Sequence, residues 1–481
     1  MIRLIVGPVR AVAECDTDED WLWLKDTLTF HNPSARYAKG MPATYCLVDR
    51  RGRLPSGLAS TIVSAGKRSG HPVSVQGLVP PPVEALLEDE ARAQLVRDRA
   101  PWLRDYQVEA TSRAVRRRRG ILWMPTGSGK TEIIIALTLI FPGRWVLLVG
   151  SKGLVANAAD RYELRTGLPA GRVMEGRHEI VPAFTAATFQ GLTNTLSGGW
   201  GKDLMESATG LIVDEAHTLP AESFARVTDA AIGATVRIGV SATPLDRTDR
   251  KSIIAIGALG PVIHRLRSGE LIARGLLSRP VIRVCPCEQS GGGSGARGYA
   301  RVYRQLVVES DARNRLIVEM ALLATKPCLI FVQQLKHLRF LQKMLTHAGL
   351  EVATVDGKDC QAAREGRLAR MVQGRYDVVI ATKVLQLGID IPELASIVNA
   401  GGGKSAIATL QQLGRAMRVT DTKTKCELWE PWDCAARGER NDLAKHASAR
   451  VATYQDEGYE VLQGPPGGPY TVMHKRRRPK K

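Results

Sequence analysis

Met124-Pro125-Thr126-Gly127-Ser128-Gly129-Lys130-Thr131 is the stretch on which the reading of this chain turns. A short apolar run, Ile121 to Trp123, leads into it, and an apolar segment, Glu132 to Ile140, follows. Strand, glycine-rich loop and helix in that order make a phosphate cradle. Glycines let backbone N–H groups approach phosphate oxygens, and the helix N-terminus adds its positive end. The Lys130 ammonium then reaches the terminal phosphates, and the Thr131 hydroxyl holds Mg2+. Thr126, Gly127, Ser128 and Gly129 complete the ATP-binding loop. Met124 stands where the usual pattern has its first glycine. Taken alone, the stretch reads as a nucleotide-binding loop, with a glycine-rich helix cap and a solvated lysine as the plainer alternative.

A second stretch removes that alternative. Leu211-Ile212-Val213 reads as a buried strand and ends in Asp214-Glu215-Ala216-His217, about eighty residues beyond the loop. A carboxylate at the end of a parallel strand beside a phosphate loop is where Mg2+ needs a ligand, which assigns Asp214. Its neighbour Glu215 can orient or deprotonate the attacking water.

With 481 residues the chain has room for two to four domains. Its 44% hydrophobic and 24% charged content fits a globular protein. No apolar run approaches the roughly twenty residues that span a bilayer. Met1-Ile2-Arg3-Leu4 is followed by Pro8 and Arg10, and no signal-peptide core is present. A cytoplasmic protein without a membrane partner is expected. Net charge is +19, from 67 basic and 48 acidic residues, which points to a polyanionic partner. The eight cysteines form no Cys-x-x-Cys pair and show no zinc-ligand spacing, so buried free thiols are expected, Cys328 among them.

Residues 1–82 read as a separate small α/β block. Ile2 to Cys15 is extended. Thr17 caps a helix to Phe30 whose first turn is acidic, and Trp21, Leu24 and Leu28 share a face. Tyr45 to Val48 is a short strand, Arg50 to Gly52 a turn, and Leu58 to Ala65 a helix. Residues 83–100 read as a charged connecting helix. Five β-runs then alternate with helical segments: Ile121–Met124, Val146–Val149, Phe184–Thr188, Leu211–Val213 and Ile238–Ser241. Five more follow: Val281–Val284, Leu329–Val332, Val352–Val355, Val378–Ala381 and Ser396–Asn399. Alternation of this kind argues for parallel sheets covered on both faces. The expected fold is α/β, two tandem parallel-sheet domains (101–270 and 271–460), RecA-like in what the resemblance given below implies, preceded by the small α/β N-terminal domain. A flexible loop at Gly291–Gly295 and a basic, disordered tail over 461–481 complete the plan.

The second half carries no phosphate loop, but Gln411-Gln412-Leu413-Gly414-Arg415-Ala416-Met417-Arg418 places Arg415 and Arg418 on one helix face. Arginines delivered to a transferring phosphoryl group stabilise its charge. A solvated basic helix is the plainer alternative for that segment taken alone.

In this order the motifs over residues 101–432 resemble superfamily 2 helicases of the DEAH-box type. Leu103-Arg104-Asp105-Tyr106-Gln107 resembles the adenine-reading motif, with Gln107 as the bidentate group and Arg104 beside it. Asp-Glu-Ala-His is similar to motif II, where His217 would connect the ATP site to the second half. Ser241-Ala242-Thr243 resembles motif III, which makes Ser241 and Thr243 coupling residues. Thr382 to Asp390 resembles motif V, with Gly388 and Asp390 on the nucleotide, and Gln411 to Arg418 resembles motif VI, with Gln411, Arg415 and Arg418 catalytic. Gly150-Ser151-Lys152-Gly153-Leu154 stands where the family often has a proline-containing loop.

The resemblance implies an ATP- and Mg2+-dependent motor, active as a monomer and moving 3′ to 5′. Ser151, Lys152, Thr188, Gln190, Gln333, Thr382 and Lys383 are the candidate nucleic-acid contacts. Hydroxyls, amides and N–H groups of this kind grip phosphates and leave bases unread, so binding should be sequence-independent and salt-sensitive. Ordinary loop polarity is the alternative for each. The Arg116–Arg119 run reads as a helix C-terminus, where cations suit the dipole.

Thr29-Phe30-His31-Asn32-Pro33 and Val48 to Leu58 resemble the N-terminal domain of UvsW-like phage helicases. That implies branched DNA (forks, Holliday junctions, R-loops) and single-stranded DNA as partners, in a bacterial host cytoplasm if the chain is phage-encoded. Two other readings stay open: an ATP-gated clamp or translocase that does not separate strands, and an RNA helicase.

Overall fold

The computed structural model describes residues 1–31, 43–77, 82–214, 221–242, 252–288, 299–382, 391, 393–403, 423, 425–434 and 442–474. The chain divides into two compact units, Met1–Leu266 and Arg267–Lys481.

The first unit opens with β1 (Ile2–Val6) and β2 (Arg10–Cys15), an antiparallel pair. Thr17 caps the helix Asp18–Thr27 by accepting from the Asp20 amide. Two short strands, β3 (Thr29–His31) and β4 (Thr44–Cys46), pair with each other, and β5 (Arg53–Pro55) and β6 (Val73–Gly77) complete a sheet in the order β5-β2-β1-β6. The helix Ala59–Ser69 lies between β5 and β6 in sequence.

This block is not free-standing. Its core of Ile2, Leu4, Leu24, Leu54, Leu58 and Ile62 is packed by Ile253 and Ile256 from the far end of the unit. Gly57 explains the closeness: a Cβ there would meet the Ile256 carbonyl oxygen at 2.1 Å. Arg10 reaches Asp229 at 2.5 Å, and Arg119 donates to the Pro8 carbonyl. The expected boundary at residue 82 is therefore a change of sheet, not a break in packing. The expected single helix over 83–100 is broken, into Val83–Leu86 and Asp89–Arg99.

The second sheet has eight strands: β7 (Arg119–Trp123), β8 (Trp145–Val149), β9 (Gly171–Met174), β10 (Arg177–Glu179), β11 (Phe184–Thr188), β12 (Gly210–Asp214), β13 (Val236–Ser241) and β14 (Val262–Arg265). Their order is β10-β9-β11-β8-β12-β13-β7-β14. All neighbours are parallel except β10 with β9. Val146, Leu148, Leu211 and Val213 supply a core that Phe189, Phe224 and Leu259 cover. The helix Lys130–Ile140 buries Ile133, Ile134, Ile135, Leu137 and Ile140 to 4% exposure or less, each residue contributing about 1.5–3 kcal/mol.

The second unit repeats the plan with β15 (Arg279–Glu288), β16 (Cys328–Phe331), β17 (Val352–Val355), β18 (Val378–Ala381), β19 (Ser396–Val398), β20 (Lys425–Cys434), β21 (Val461–Gln463) and β22 (Thr471–Val472), in the order β17-β18-β16-β19-β20-β15-β21-β22. Only β21 with β22 is antiparallel. The two RecA-like sheets and the small leading α/β domain are as expected. The tail is not: β21 pairs with β15 and β22 with β21, so residues 461–472 extend the sheet. The terminal basic run 475–481 and the Gly291–Gly295 stretch lie outside the described residues. Cys285, Cys287, Cys328 and Cys426 are buried, while Cys46 and Cys360 are exposed.

Candidate functional site

β7 ends at Trp123, and the chain turns through the phosphate loop into the helix Lys130–Ile140. Met124 is fully buried and its N–H donates to the Ser241 carbonyl at 2.9 Å. The missing glycine is thus replaced by an apolar anchor beneath the loop. Gly127 and Gly129 sit at φ +83° and +73°, where glycine is favoured. A Cβ on Gly129 would meet the Gln107 Nε2 at 2.3 Å.

Behind the loop, Tyr106 Oη donates to the Ser128 carbonyl at 3.0 Å and Gln107 Nε2 donates to the same oxygen at 2.9 Å. A phosphate nest needs N–H groups turned to its ligand. Fastening a loop carbonyl from behind serves that need. Gln107 Oε1 accepts the Arg104 N–H at 2.8 Å, so both ends of this 4%-exposed amide are engaged inside the protein. Gln107, expected to read adenine, is held here as a strut under the phosphate loop. Arg104 is exposed at the start of the helix Asp105–Arg117.

Because β7, β13, β12 and β8 are parallel neighbours, their C-terminal ends share one edge of the sheet. Register places Ser241 beside Trp123, and Val240 beside Asp214. The strand of Ser241 thus lies between the strand of the phosphate loop and the strand of Asp214. Ser241 is 1% exposed, whereas Lys130, Thr131 and Asp214 are half-buried on this edge. Ligands of parallel sheets bind at such an edge. The donor set fits a nucleoside triphosphate with Mg2+: helix N-terminal amides and an ammonium for phosphates, a hydroxyl and a carboxylate for a hard cation.

Glu132 was not foreseen as a site-supporting group. It is 9% exposed and accepts from Arg161 Nε at 2.6 Å and Arg165 Nε at 2.9 Å. These pairs tie the first turn after the phosphate loop to the helix Lys152–Thr166. Arg165 also stands 5.5 Å over the Trp102 ring. The available signal was a lone carboxylate heading an otherwise apolar helix.

The candidate nucleic-acid contacts of this unit end β8 and β11 on the same edge. Two hydroxyls are employed locally: Ser151 Oγ accepts from the Leu154 amide at 3.4 Å, and Thr188 Oγ1 from the Gly191 amide at 3.1 Å. Lys152 makes an exposed pair with Glu175 at 2.9 Å, which binds little energy, and Gln190 is exposed.

In the second unit Gln333 and Thr382 follow the adjacent strands β16 and β18. Thr382 is 9% exposed. Gln333 Nε2 donates to the Gly401 and Gly402 carbonyls at 3.2 and 3.3 Å. It is one of four side chains that hold consecutive carbonyls after β19. Arg313 Nη1 donates to Ala400 at 2.6 Å, Tyr303 Oη to Gly401 at 2.7 Å, and Arg450 Nη1 to Gly403 at 2.5 Å. Arg313 also pairs with Asp433 at 2.9 Å, and Arg450 with Glu430 at 2.8 Å, all four nearly or fully buried. Sequence gave no sign of this clamp, whose members are spread over 303–450. Glu215, His217, Thr243, Lys383, Gly388, Asp390, Gln411, Arg415 and Arg418 lie outside the described residues.

His337 backs the clamp, with Nε2 2.8 Å from Asn314 Oδ1. Burial first, then the charge of Arg313, pushes its pKa down to about 3, from about 6.5 in an unfolded chain. A depressed pKa means that stability is complete above about 6.5 and is lost as pH falls towards 3. His337→Gln should flatten this dependence. Melting temperatures of both proteins between pH 7 and 5 check it: the wild type should fall more steeply, and parallel curves would count against a buried neutral His337.

Residues 101–246 match the family described as type III restriction enzyme, res subunit, and residues 312–420 the family described as helicase conserved C-terminal domain. A putative helicase of a Sulfolobus islandicus filamentous virus is 26% identical over 64% of this chain and 59% of its own length. The DNA 3′-5′ translocase XPB2 of Sulfurisphaera tokodaii is 25% identical over 70% of this chain and 83% of its own. In structure, a fragment of a putative HsdR subunit of a type I restriction enzyme from Vibrio vulnificus aligns at TM-score 0.57 and 17% identity, over 81% of this chain and 74% of that one. That likeness is one of fold. The T4 UvsW crystal structure aligns over 96% of this chain and 98% of that one, at TM-score 0.47 and 18% identity. The match to the viral helicase leaves about two fifths of that protein uncovered.

Proposed function

The chain belongs to the superfamily 2 helicases, and on that premise we propose that it hydrolyses ATP to move along DNA and remodels branched DNA such as forks, Holliday junctions and R-loops. The observation that carries the ATPase reading is the phosphate loop held from behind by Tyr106 and Gln107, with Asp214 on the same sheet edge. Lys130 and the loop amides would bind and orient the phosphates. Thr131 and Asp214 would hold Mg2+, which supplies charge neutralisation at the phosphates. Glu215 is proposed to position the attacking water, and Gln411, Arg415 and Arg418 to stabilise the charge that develops during transfer.

DNA as the polymer is supported by the +19 charge and by the relative named as a DNA 3′-5′ translocase, which also suggests the polarity. Branched DNA is supported by the small leading domain fused to the motor, where it can hold a second arm. Movement without strand separation is the second reading, favoured by that same relative's description as a translocase.

Matched forked, linear and single-stranded substrates in DNA and RNA test the proposal on the full chain. ATP turnover should rise on adding DNA, and forks should be bound and unwound in preference to linear duplex. Affinity should fall steeply with salt, because each neutralised phosphate releases counterions. Translocation with no unwinding would select the second reading. Stimulation by RNA alone would overturn the DNA assignment.

A further inference from the structure

The edge of the second sheet opposite the phosphate loop carries an unassigned cleft. β7 runs from Arg119 to Trp123, so Arg119 and the phosphate loop lie at opposite ends of one strand. Thr235 and Pro261, which precede β13 and β14, lie at the Arg119 end. Here the small leading domain meets the motor and leaves a cleft of about 770 Å³. One wall is the face of the helix Ala59–Ser69 that carries Ser60, Ser64 and Lys67 at one-turn spacing. The other is the Arg117-Arg118-Arg119 run. No carboxylate is among the described residues lining it.

Two features mark it as built for an anion. Lys67, Arg117 and Arg118 take part in no ion pair among the described residues, and Arg119, which donates to the Ala258 and Pro8 carbonyls, adds a fourth cation to the lining. Ser56, on the cleft wall, is 2% exposed, and its hydroxyl has no hydrogen-bond partner. A buried hydroxyl left over in this way is a donor awaiting an acceptor. Arg118 holds φ +57°, the one positive φ outside glycine among the described residues. It is the left-handed cap at which the helix Asp105–Arg117 ends, its N–H donating to the Ala114 carbonyl at 2.7 Å. Burial first, then the charges of Arg237 and Arg118, pulls the Arg119 pKa down to about 9, as expected for a guanidinium buried at the seam.

We propose that this cleft is a second phosphate site, which takes the sugar–phosphate backbone of one DNA strand away from the strand the motor tracks. Its volume is that of a small-ligand pocket, which suits the edge of a single strand and not a whole duplex. The proposal rests on the branched-DNA reading and gives it a location: a second arm would be held at the seam, on the far edge from the ATP site.

Two variants of the full chain test it by fluorescence anisotropy. The pair Lys67→Gln with Arg118→Gly removes two cations, and glycine keeps the positive φ. The pair Ser60→Asp with Ser64→Asp brings negative charge from the opposite wall at exposed helix positions. Each pair should weaken fork binding roughly tenfold, and the first should flatten the salt dependence by about two in log–log slope. ATPase stimulation by a short single strand should be unchanged. Wild-type fork affinity and salt slope in both variants would overturn the proposal. So would tripolyphosphate binding that the first variant loses while its DNA affinity stays intact, since the cleft would then serve a small polyphosphate. If DNA fails to stimulate the wild-type ATPase, the motor reading falls, while the difference between wild type and variants in binding still decides the cleft.

Discussion

Lys130→Ala should lower ATP turnover by about 10²–10³-fold or more, the loss that follows removal of one preorganised group at a transferring charge. Lys130 is the first residue of the helix Lys130–Ile140, half-buried on the sheet edge that also holds Asp214. The folding energy of that helix comes from elsewhere. Ile133, Ile134, Ile135 and Leu137 are at 1% exposure or less, and Glu132 is paired with Arg161 and Arg165. Met124 and the Tyr106–Ser128 hydrogen bond set the loop without the ammonium. The melting curve of the variant should therefore overlay that of the wild type. A hydrolysis assay beside a thermal melt separates the outcomes. Full turnover with an intact fold would remove Lys130 from the site, and unfolding would make it structural.

Arg313→Ala should destabilise the second unit by about 3–5 kcal/mol, the cost of breaking one side of a buried ion pair. Its side chain is fully buried, pairs with Asp433 at 2.9 Å and donates to the Ala400 carbonyl at 2.6 Å. The truncation leaves a buried carboxylate without its guanidinium and loosens the carbonyl run Ala400–Gly403. Replacing both partners with apolar residues, Arg313→Met with Asp433→Leu, should recover most of the stability, since buried pairs and apolar replacements often come out near even. The Ala400 carbonyl would still lack its donor. Denaturant unfolding of the three proteins provides the measurement. A loss below about 1 kcal/mol in the single variant would show that water or rearrangement replaces the pair.

Much of the fold was legible because many of its strands are short apolar runs. Phe184–Thr188, Val352–Val355 and Val378–Ala381 have the expected bounds. Strands whose polar residues find partners in space were invisible: β20 holds Glu430 and Asp433, which look like surface residues until Arg450 and Arg313 arrive. The tail misled for the same reason. Pro465, Pro466, Gly467 and Gly468 suggest disorder, yet they only link β21 to β22. Gln107 shows what local pattern leaves out, since its amide bridges Arg104 and the Ser128 carbonyl.

By itself the sequence determined the phosphate loop, the Asp214 strand end and the two α/β halves. Each depends on residues close together in the chain: glycines where φ must be positive, a lysine at a helix start, apolar runs of strand length. Tertiary structure alone decided what supports them. The Glu132 pairs, the carbonyl clamp of Arg313, Gln333 and Arg450, and the basic cleft at the seam join residues tens to hundreds of positions apart. No local rule encodes such contacts, because charge pairing and burial depend on distance in space and not on separation along the chain.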